Sequence, residues 1–355
     1  MKMKKMKTEK ISISNNEKLT LISNLSTLLY AGIPILESVE SLSEESKGNV
    51  KKLLEVVKED LVQGKNLSDS FAKFPQIFNK ININILKSSE ESGTLEIALN
   101  DLKTSIRRDI EFTDKIKSAL LYPAVLLVVF FSVLLVVLFV AIPKIASVFK
   151  NLRVTLPLPT KILIFVSHSL TTYTIPIFAT LLGLILLIIW LYKTKRKSFL
   201  KIFSSLPFLS NIIREIDLTR FSRNMALLLN SGVPITTALE LTQDVVMSKD
   251  IGEAIIHSKN LILSGGKLSE GFKKTKKAIP GIMIKIMEAG EKSGTLDKSM
   301  QDIADYMDYN VSNSLKTATT LLEPVILVLV GVFIGGIMLS IIAPIYNLIG
   351  QIGSR

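Results

Sequence analysis

The stretch LLYAGIPI at residues 28–35 decides the fold, because it returns as LLNSGVPI at residues 228–235. Later in the chain, SGTL occupies both residues 92–95 and residues 293–296. LSDSF at residues 67–71 likewise returns as LSEGF. Repetition at one fixed spacing indicates that a structural unit has been duplicated. The sequence therefore predicts two similar domains in one chain.

The duplication continues into apolar sequence. Pro123 in YPAV matches Pro324 in EPVI, and Pro143 in AIPKI matches Pro344 in IAPIY. Each repeat therefore consists of a polar segment followed by an apolar segment. Such a unit is expected to be a soluble domain attached to a membrane span.

Both polar segments are predicted to be helical. In the first, Leu21, Ile22, Leu25, Leu28 and Leu29 fall at helical spacing, and an equivalent series runs from Leu218 to Leu229 in the second. Neither segment shows sustained alternation or hairpin turns. We therefore expect an all-α protein with two homologous bundles of short antiparallel helices.

Glycines and prolines mark where these helices should end and begin. A glycine after a helix can take the left-handed conformation that other residues avoid, and proline suits the start of the next helix. The predicted structural positions are Gly32 with Pro34, Gly232 with Pro234, Gly93, Gly294, and the span-entrance prolines Pro123 and Pro324. Thr94 and Thr295 are placed to cap the helices that follow.

The composition fits soluble domains tethered to a few spans. Hydrophobic residues make up 48% of the chain, yet 21% of it is charged. There is no cysteine, which excludes disulfides, thiolate metal sites and thiol nucleophiles.

The net charge of +12 fits solvated helix faces, or attraction to anionic lipids or an acidic partner. Basic residues are not interleaved with aromatic ones, so no nucleic acid partner is expected.

Three membrane spans are expected. Residues 124–142 and 325–343 are uncharged and long enough to cross a bilayer, and residues 175–192 end at the basic cluster KTKRK. Two copies of a duplicated unit should lie on one side of the membrane, so the unrepeated middle span is the return helix. Basic residues near the span ends place both domains in the cytoplasm. The start MKMKK is not followed by an apolar run, so no cleaved signal peptide is expected.

The predicted order of segments follows from these spans. It is a first cytoplasmic domain at 1–120, a span at 121–143, an external loop at 144–174, a span at 175–192, a second cytoplasmic domain at 193–323, a span at 324–344 and an external tail at 345–355. The protein is expected in the cytoplasmic (inner) membrane, with its N-terminus in the cytoplasm.

Known catalytic patterns are missing from the sequence. Gly64-Lys65 and Gly266-Lys267 lack the upstream glycine of a phosphate-binding loop, and the two histidines, His168 and His257, are far apart. No enzymatic activity and no cofactor are expected. Carboxylates near the SGTL motifs could hold a cation or simply face solvent; these weak metal candidates are Glu90, Glu91 and Glu291.

Two features of the last span are candidates for interaction. Glu323 lies at the start of this span, where its carboxylate could take part in an interaction or reach the lipid headgroups. Gly331 and Gly335 belong to a small-residue face of the kind that allows close helix packing, although such faces are common in membrane helices.

Taken together, the AGIP and SGVP joints, GEKSGTL at residues 290–296, the prolines at the span entrances and Pro344 at the last exit resemble a known family. The family is the inner-membrane platform protein of type II secretion systems (protein F) and type IV pili, including competence pseudopili. The resemblance covers nearly the whole chain. Two departures, the short N-terminal segment and SSEE at residues 88–91 in place of a glycine–glutamate pair, resemble shorter members from type IVb pilus or competence systems.

The resemblance implies assembly rather than catalysis. Platform proteins contact a cytoplasmic assembly ATPase and pass its motion to pilins or pseudopilins. Other inner-membrane assembly proteins and further copies of the chain, in a homo-oligomer, are also implied partners. Polar surfaces of the bundles are candidate contacts, among them the lysines Lys273, Lys274, Lys276 and Lys277.

Two other functions remain open at this point. A membrane signalling or assembly scaffold unrelated to pili is one, although residues 144–174 are few for an external sensing domain. A small transporter subunit is the other, although the repeat is parallel and no chain of charges runs through the spans.

Overall fold

The computed structural model describes residues 11–152, 158–173, 207–274 and 279–353, together with Pro176, Ala179, Thr180, Gly183 and Leu187. Every regular element in these residues is helical, which confirms the all-α fold class. Apart from those five positions, the predicted middle span lies outside the described residues. Lys276, Lys277, the KTKRK cluster and Arg355 also lie outside them.

The chain divides into two compact units. One comprises residues 1–115 and 204–312, and we call it the bundle unit; the other comprises residues 116–203 and 313–355, and we call it the span unit. The bundle unit contains the two repeated polar segments, which we call the first bundle and the second bundle. The span unit contains the two repeated apolar segments.

The first bundle is built from short helices. They are α1 (Asn15–Tyr30), α2 (Ile35–Glu45), α3 (Gly48–Val62), α4 (Leu67–Phe71) and α5 (Lys80–Ser92), followed by the start of α6 (Leu95–Val136). Ser14 caps α1 reciprocally with Glu17, so the first free N–H groups of this helix have acceptors.

The second bundle repeats this order of helices. They are α9 (Pro207–Asn230), α10 (Ile235–Gln243), α11 (Lys249–Leu263), α12 (Leu268–Lys273) and α13 (Gly281–Ser293), followed by the start of α14 (Leu296–Gly353). Helices α7 (Ile142–Leu152) and α8 (Leu158–Thr172) lie between the two bundles in sequence.

Left-handed glycines join the helices at equivalent places in both bundles. Gly32 and Gly232 have φ of +78° and +75°, and Pro34 and Pro234 stand immediately before the helices that follow. Gly93 and Gly294 end α5 and α13 with φ of +73° and +72°. A positive φ raises the conformational energy of residues that have a Cβ atom, so glycine at these points allows a tight turn between antiparallel helices.

Aromatic and aliphatic side chains from successive helices pack together to form the core of each bundle. Phe71 and Phe78 stack in the first bundle with ring centroids 4.0 Å apart, and Phe221 and Phe272 meet in the second at 5.4 Å. The helical stripes expected from sequence also face inward: Ile22, Leu25, Phe221, Met225 and Leu228 are completely buried. This burial is the main source of stability for the bundles.

Two of the helices in the described part of the chain are long and apolar enough to cross a membrane. They are Leu95–Val148, where α6 is followed by a π-helical turn at Val137–Ala141 and then by α7, and Leu296–Ser340 within α14. Helix α6 runs through the predicted boundary at residues 120 and 121 without interruption, with Pro123 inside it. Helix α14 does the same at residues 323 and 324.

Candidate interaction site between the two bundles

Arg223 is the central residue of the contact between the two bundles. It lies on α9 among apolar neighbours and is almost completely buried. Its guanidinium group pairs with Asp109 of α6 at 3.2 Å and with Asp308 of α14 at 3.4 Å. It also lies over the ring of Phe112, 5.1 Å from the centroid. A buried arginine with two carboxylates and an aromatic face is held in one geometry.

Weaker polar contacts extend this junction along both bundles. The amide of Asn230 donates to Asp101 at 2.8 Å, and the Ser88 hydroxyl donates to the carbonyl oxygen of Ser231 at 3.0 Å. Lys80 pairs with Asp244 at 2.8 Å, but both side chains are largely exposed, so this pair adds little stability. The contacts therefore determine orientation more than they contribute free energy.

The junction is not symmetric with respect to the repeat. The first bundle contributes α5 and α6, whereas the second contributes α9, the end of α10, and α14, whose Asp308 also pairs with Lys115 of α6 at 2.7 Å. The position equivalent to Arg223 in the first repeat is Ser23, and the position equivalent to Asp109 in the second is Asn310. The same junction cannot form a second time with the bundles exchanged. The sequence thus specifies one pairing of the two halves.

Two clefts border this junction. One, of about 310 Å³, is lined by polar side chains of both bundles, including Asp101, Arg108, Asn230, Asp297 and Lys298. Burial raises the pKa of Asp101, and the hydrogen bond from Asn230 partly opposes that rise. The other cleft, of about 480 Å³, lies between Pro75, Phe78 and Ile83 on one side and Leu241 and Val245 on the other.

Glu90 and Glu291 occupy equivalent positions in the two bundles and make equivalent hydrogen bonds. Glu90 accepts hydrogen bonds from the backbone of Leu67 at 2.5 Å and of Ser68 at 3.2 Å, and from the Ser68 hydroxyl. Glu291 accepts from Leu268, Ser269 and the Ser269 hydroxyl in the same way. Each carboxylate therefore satisfies free N–H groups at the start of a short helix, α4 or α12.

The other metal candidate, Glu91, is exposed. Among the residues that the structure describes, no group of three or more acidic or histidine side chains is arranged to hold a metal ion. Glu90 and Glu291 each belong to a separate bundle, so the structure does not bring the two together as one site. Their observed contacts are all with backbone N–H groups and serine hydroxyls of their own bundle.

The lysines predicted as contacts differ in their surroundings. Lys273 pairs with Glu288, whereas Lys274 is exposed and has no acidic partner in the described part of the chain. The equivalent of Lys274 in the first bundle is Lys73, which pairs with the buried Asp60. Because Leu261 replaces that aspartate in the second bundle, Lys274 lacks the partner that Lys73 has.

The candidates on the last span face outward. Glu323 is exposed, and a Cβ atom added at Gly331 or Gly335 would meet no atom within 4 Å. Neither glycine is therefore packed against another helix in the part of the chain that the structure describes. The small-residue face stays a prediction for contact with another molecule.

Sequence reasoning did not single out Arg223, Asp109 or Asp308. Its spacing gives no signal, since Arg223 is two residues from both Phe221 and Met225 and therefore does not share their face of the helix. A charge at a core position requires a partner, but the sequence does not say which carboxylate supplies it. That partner is 114 residues away in the chain.

Comparison with known families agrees with the duplicated architecture. The model of the family described as "Type II secretion system (T2SS), protein F" matches residues 21–143 and again residues 221–344. These two matches correspond to the two repeats and cover most of the chain. The protein belongs to this family, as the resemblance in its sequence predicts.

Individual relatives carry names from two related machines. The chain is 26% identical over 343 residues to the type IV pilus assembly protein PilC of Myxococcus xanthus, covering 96% of this chain and 82% of the relative. It is 28% identical to PilC of Thermus thermophilus, covering 92% and 81%. It is 25% identical to the type II secretion system protein F of Vibrio cholerae, covering 96% and 84%.

Proposed function

We propose that this protein is an inner-membrane platform that couples a cytoplasmic assembly ATPase to the polymerisation of pilins or pseudopilins. The observation that carries the proposal is the duplicated unit, in which the last helix of each bundle continues into an apolar span. Relatives named for pilus assembly and for type II secretion support the same role. The machine is a type IV pilus, a type II secretion system or a competence system.

The proposed topology has three spans. Both bundles lie in the cytoplasm with the N-terminus, and the unrepeated segment at 175–192 returns the chain across the membrane. Reporter fusions test this arrangement: fusions near Lys65 and Lys267 should report the cytoplasm, and one after Lys150 the outside. An outside signal at Lys267 would exclude the proposed topology.

The bundles are the proposed contact for the ATPase, and the spans are the proposed contact for pilins and for further copies of the chain. The protein itself is proposed to have no enzymatic activity. The junction around Arg223 supports this division, because it holds the two bundles in one orientation and offers the ATPase a composite surface. Lys274 is the proposed single contact, since it is exposed and has no acidic partner among the described residues, whereas its counterpart Lys73 is paired.

Deleting the gene should abolish surface filaments or secretion while pilins are still synthesised and processed. The purified chain should bind the assembly ATPase, and the affinity should fall with salt because charges are involved. Lys274→Glu should weaken binding by roughly three- to tenfold, as expected for one exposed charge contact that is reversed. Lys298→Glu makes the same charge change elsewhere on the second bundle and serves as the control.

Normal filaments and normal secretion in the deletion strain would overturn the platform role. Co-purification with the ATPase and pilins separates a platform from an unrelated scaffold. Solute uptake driven by a proton gradient in liposomes would instead favour a transporter. Equal loss of ATPase binding in Lys274→Glu and Lys298→Glu would indicate a general charge effect and remove Lys274 as a specific contact.

A further inference from the structure

Helix α8 buries two hydroxyl side chains and exposes several of its large apolar ones, the reverse of the arrangement expected of those residues in water. Its hydroxyl side chains Thr160 and Ser167 are 3% and 2% exposed. The large apolar side chains Ile162 and Phe165 are 62% and 72% exposed, and Val166 is 40% exposed. A helix in contact with water would bury the apolar face and expose the hydroxyls.

The two buried hydroxyls bond to backbone carbonyls of the two spans. Thr160 Oγ1 donates to the carbonyl oxygen of Ser340 at 2.7 Å, and Ser167 Oγ donates to that of Leu138 at 2.6 Å. Leu138 belongs to the first repeat and Ser340 to the second, in the equivalent turn of each span. Helix α8 therefore joins the two spans through their main chains.

Prolines explain why these two carbonyls need a donor. Pro344 follows Ser340 by four residues and has no N–H, so the usual α-helical partner of the Ser340 carbonyl is missing. Pro143 follows Leu138 by five residues, and the turn at Val137–Ala141 is π-helical, in which the partner would be the N–H five residues on. Both carbonyl oxygens that the repeated prolines leave without an N–H donor thus accept a hydrogen bond from a hydroxyl group of α8.

We propose that α8 lies in the apolar boundary layer of the bilayer, with Thr160 and Ser167 turned toward the spans and Ile162, Phe165 and Val166 in contact with lipid acyl chains. An unpaired carbonyl group is costly in lipid, because no water can replace the missing donor. The two hydroxyl hydrogen bonds therefore stabilise the protein most in that environment. The exposed face of α8 has the same apolar character as the exposed span residues Val136 and Val140.

The polar residues on the exposed surface of α8 set its depth. Lys161 and His168 are both exposed. A lysine can place its stem along apolar surface while its amine reaches the headgroups, so the helix lies near the membrane surface rather than at the centre. This segment falls within the external loop predicted at 144–174, and α8 then lies in lipid rather than in water. It rests on the spans lying in a membrane and not on the role in pilus assembly.

Single cysteines can test the proposal in the full chain, because the sequence contains none. Phe165→Cys would carry a nitroxide label in nanodiscs, and its collision rates with oxygen and with a water-soluble nickel chelate would be measured. Val128→Cys, on the exposed surface of the first span, gives the lipid reference, and Tyr30→Cys, exposed on the first bundle, gives the aqueous one. The oxygen-to-nickel ratio at position 165 should be close to that at position 128.

Two results would overturn the lipid contact. A ratio at position 165 equal to that at position 30 would place α8 in water. A label shielded from both reagents would show that protein, such as another copy or a pilin span, covers this face.

The hydroxyl bonds have a separate test. Thr160→Val should shift the unfolding equilibrium in mixed micelles by about threefold, the average for a hydrogen bond between membrane helices. The same substitution in a Pro344→Ala background should have no effect, because alanine restores the N–H that Ser340 lacks. An equal effect in both backgrounds would show that the bond does not compensate for the proline.

Discussion

At the scale of single residues, the two bundles share a fold but differ in what they bury. Asp60 in the first bundle is buried and receives hydrogen bonds from Lys65, Lys73 and Ser70. The equivalent residue in the second bundle is Leu261, and the positions of Lys65 and Ser70 are taken by Gly266 and Gly271. An ionic cluster and an apolar contact thus fill the same place in two copies of one structure.

Asp60→Asn should make the first bundle less stable and less sensitive to acid. Burial alone would raise the pKa of Asp60, but the hydrogen bonds from the two lysines and the serine outweigh it and lower the pKa to about 2. A lowered pKa stabilises the folded state above the unfolded value near 4, and this contribution is lost as the pH falls from about 4 to about 2. The substitution should cost about 2 kcal/mol at pH 7.

Urea unfolding followed by circular dichroism at pH 7, 4 and 2.5 measures this difference. Asp69→Asn, which changes an exposed acid on α4, is the control and should leave the pH dependence of stability unchanged. If Asp60→Asn and the parent chain lost stability equally between pH 4 and pH 2.5, the ionic cluster would not be responsible.

At the scale of helices, close packing depends on small residues at points that periodicity does not reveal. Helices α11 and α12 approach so closely at Gly271 that a Cβ atom there would lie 2.6 Å from the Cα atom of Ser258. The first bundle has Ser70 at this position, where its hydroxyl bonds to Asp60 at 2.7 Å. The two pairs of helices therefore achieve their contact by different side chains.

Gly271→Ala should destabilise the second bundle by about 1–3 kcal/mol, the usual cost of overpacking. The thermal unfolding midpoint of the solubilised chain reports it. Gly252→Ala in the first turn of α11 is the matched control, since its added Cβ would lie 3.8 Å from the nearest side-chain atom. That control should be neutral or stabilising by up to about 1 kcal/mol, because alanine favours helix over glycine. The interpretation fails if both variants shift the midpoint in the same direction.

At the scale of the whole molecule, the sequence predicts local structure better than the pairing of its parts. The helices and their left-handed glycine ends follow from patterns within a few residues, and the duplication follows from short motifs that recur along the chain; the structure has all of them. The junction at Arg223 joins residues from α6, α9 and α14, and the bonds from α8 to the spans join segments up to 180 residues apart. Such contacts depend on tertiary packing, which no local spacing encodes.

Arg223→Gln should loosen the junction while both bundles stay folded. Losing a buried arginine with two carboxylate partners should cost on the order of 1–3 kcal/mol, between the values for exposed and buried ion pairs. With cysteines at Lys80 and Asp244, whose side chains meet across the junction at 2.8 Å, a short bismaleimide should cross-link the parent chain quickly and the variant slowly. Arg108→Gln, which removes an exposed cation beside the cleft, should cross-link at the parent rate. Equal rates for the two variants would exclude a role for Arg223 in holding the bundles together.

The π-helical turn at Val137–Ala141 also makes the two repeats different beyond that point. Each residue of an α-helix advances the chain by about 100° around the axis, so a turn that holds one extra residue changes the phase of everything after it by that angle. Helix α14 passes the equivalent point as α-helix. Identical side chains placed after Pro143 and after Pro344 would therefore point in different directions from their spans. A duplicated gene has in this way acquired two distinct surfaces from one ancestral pattern, and evolution can modify either without disturbing the other.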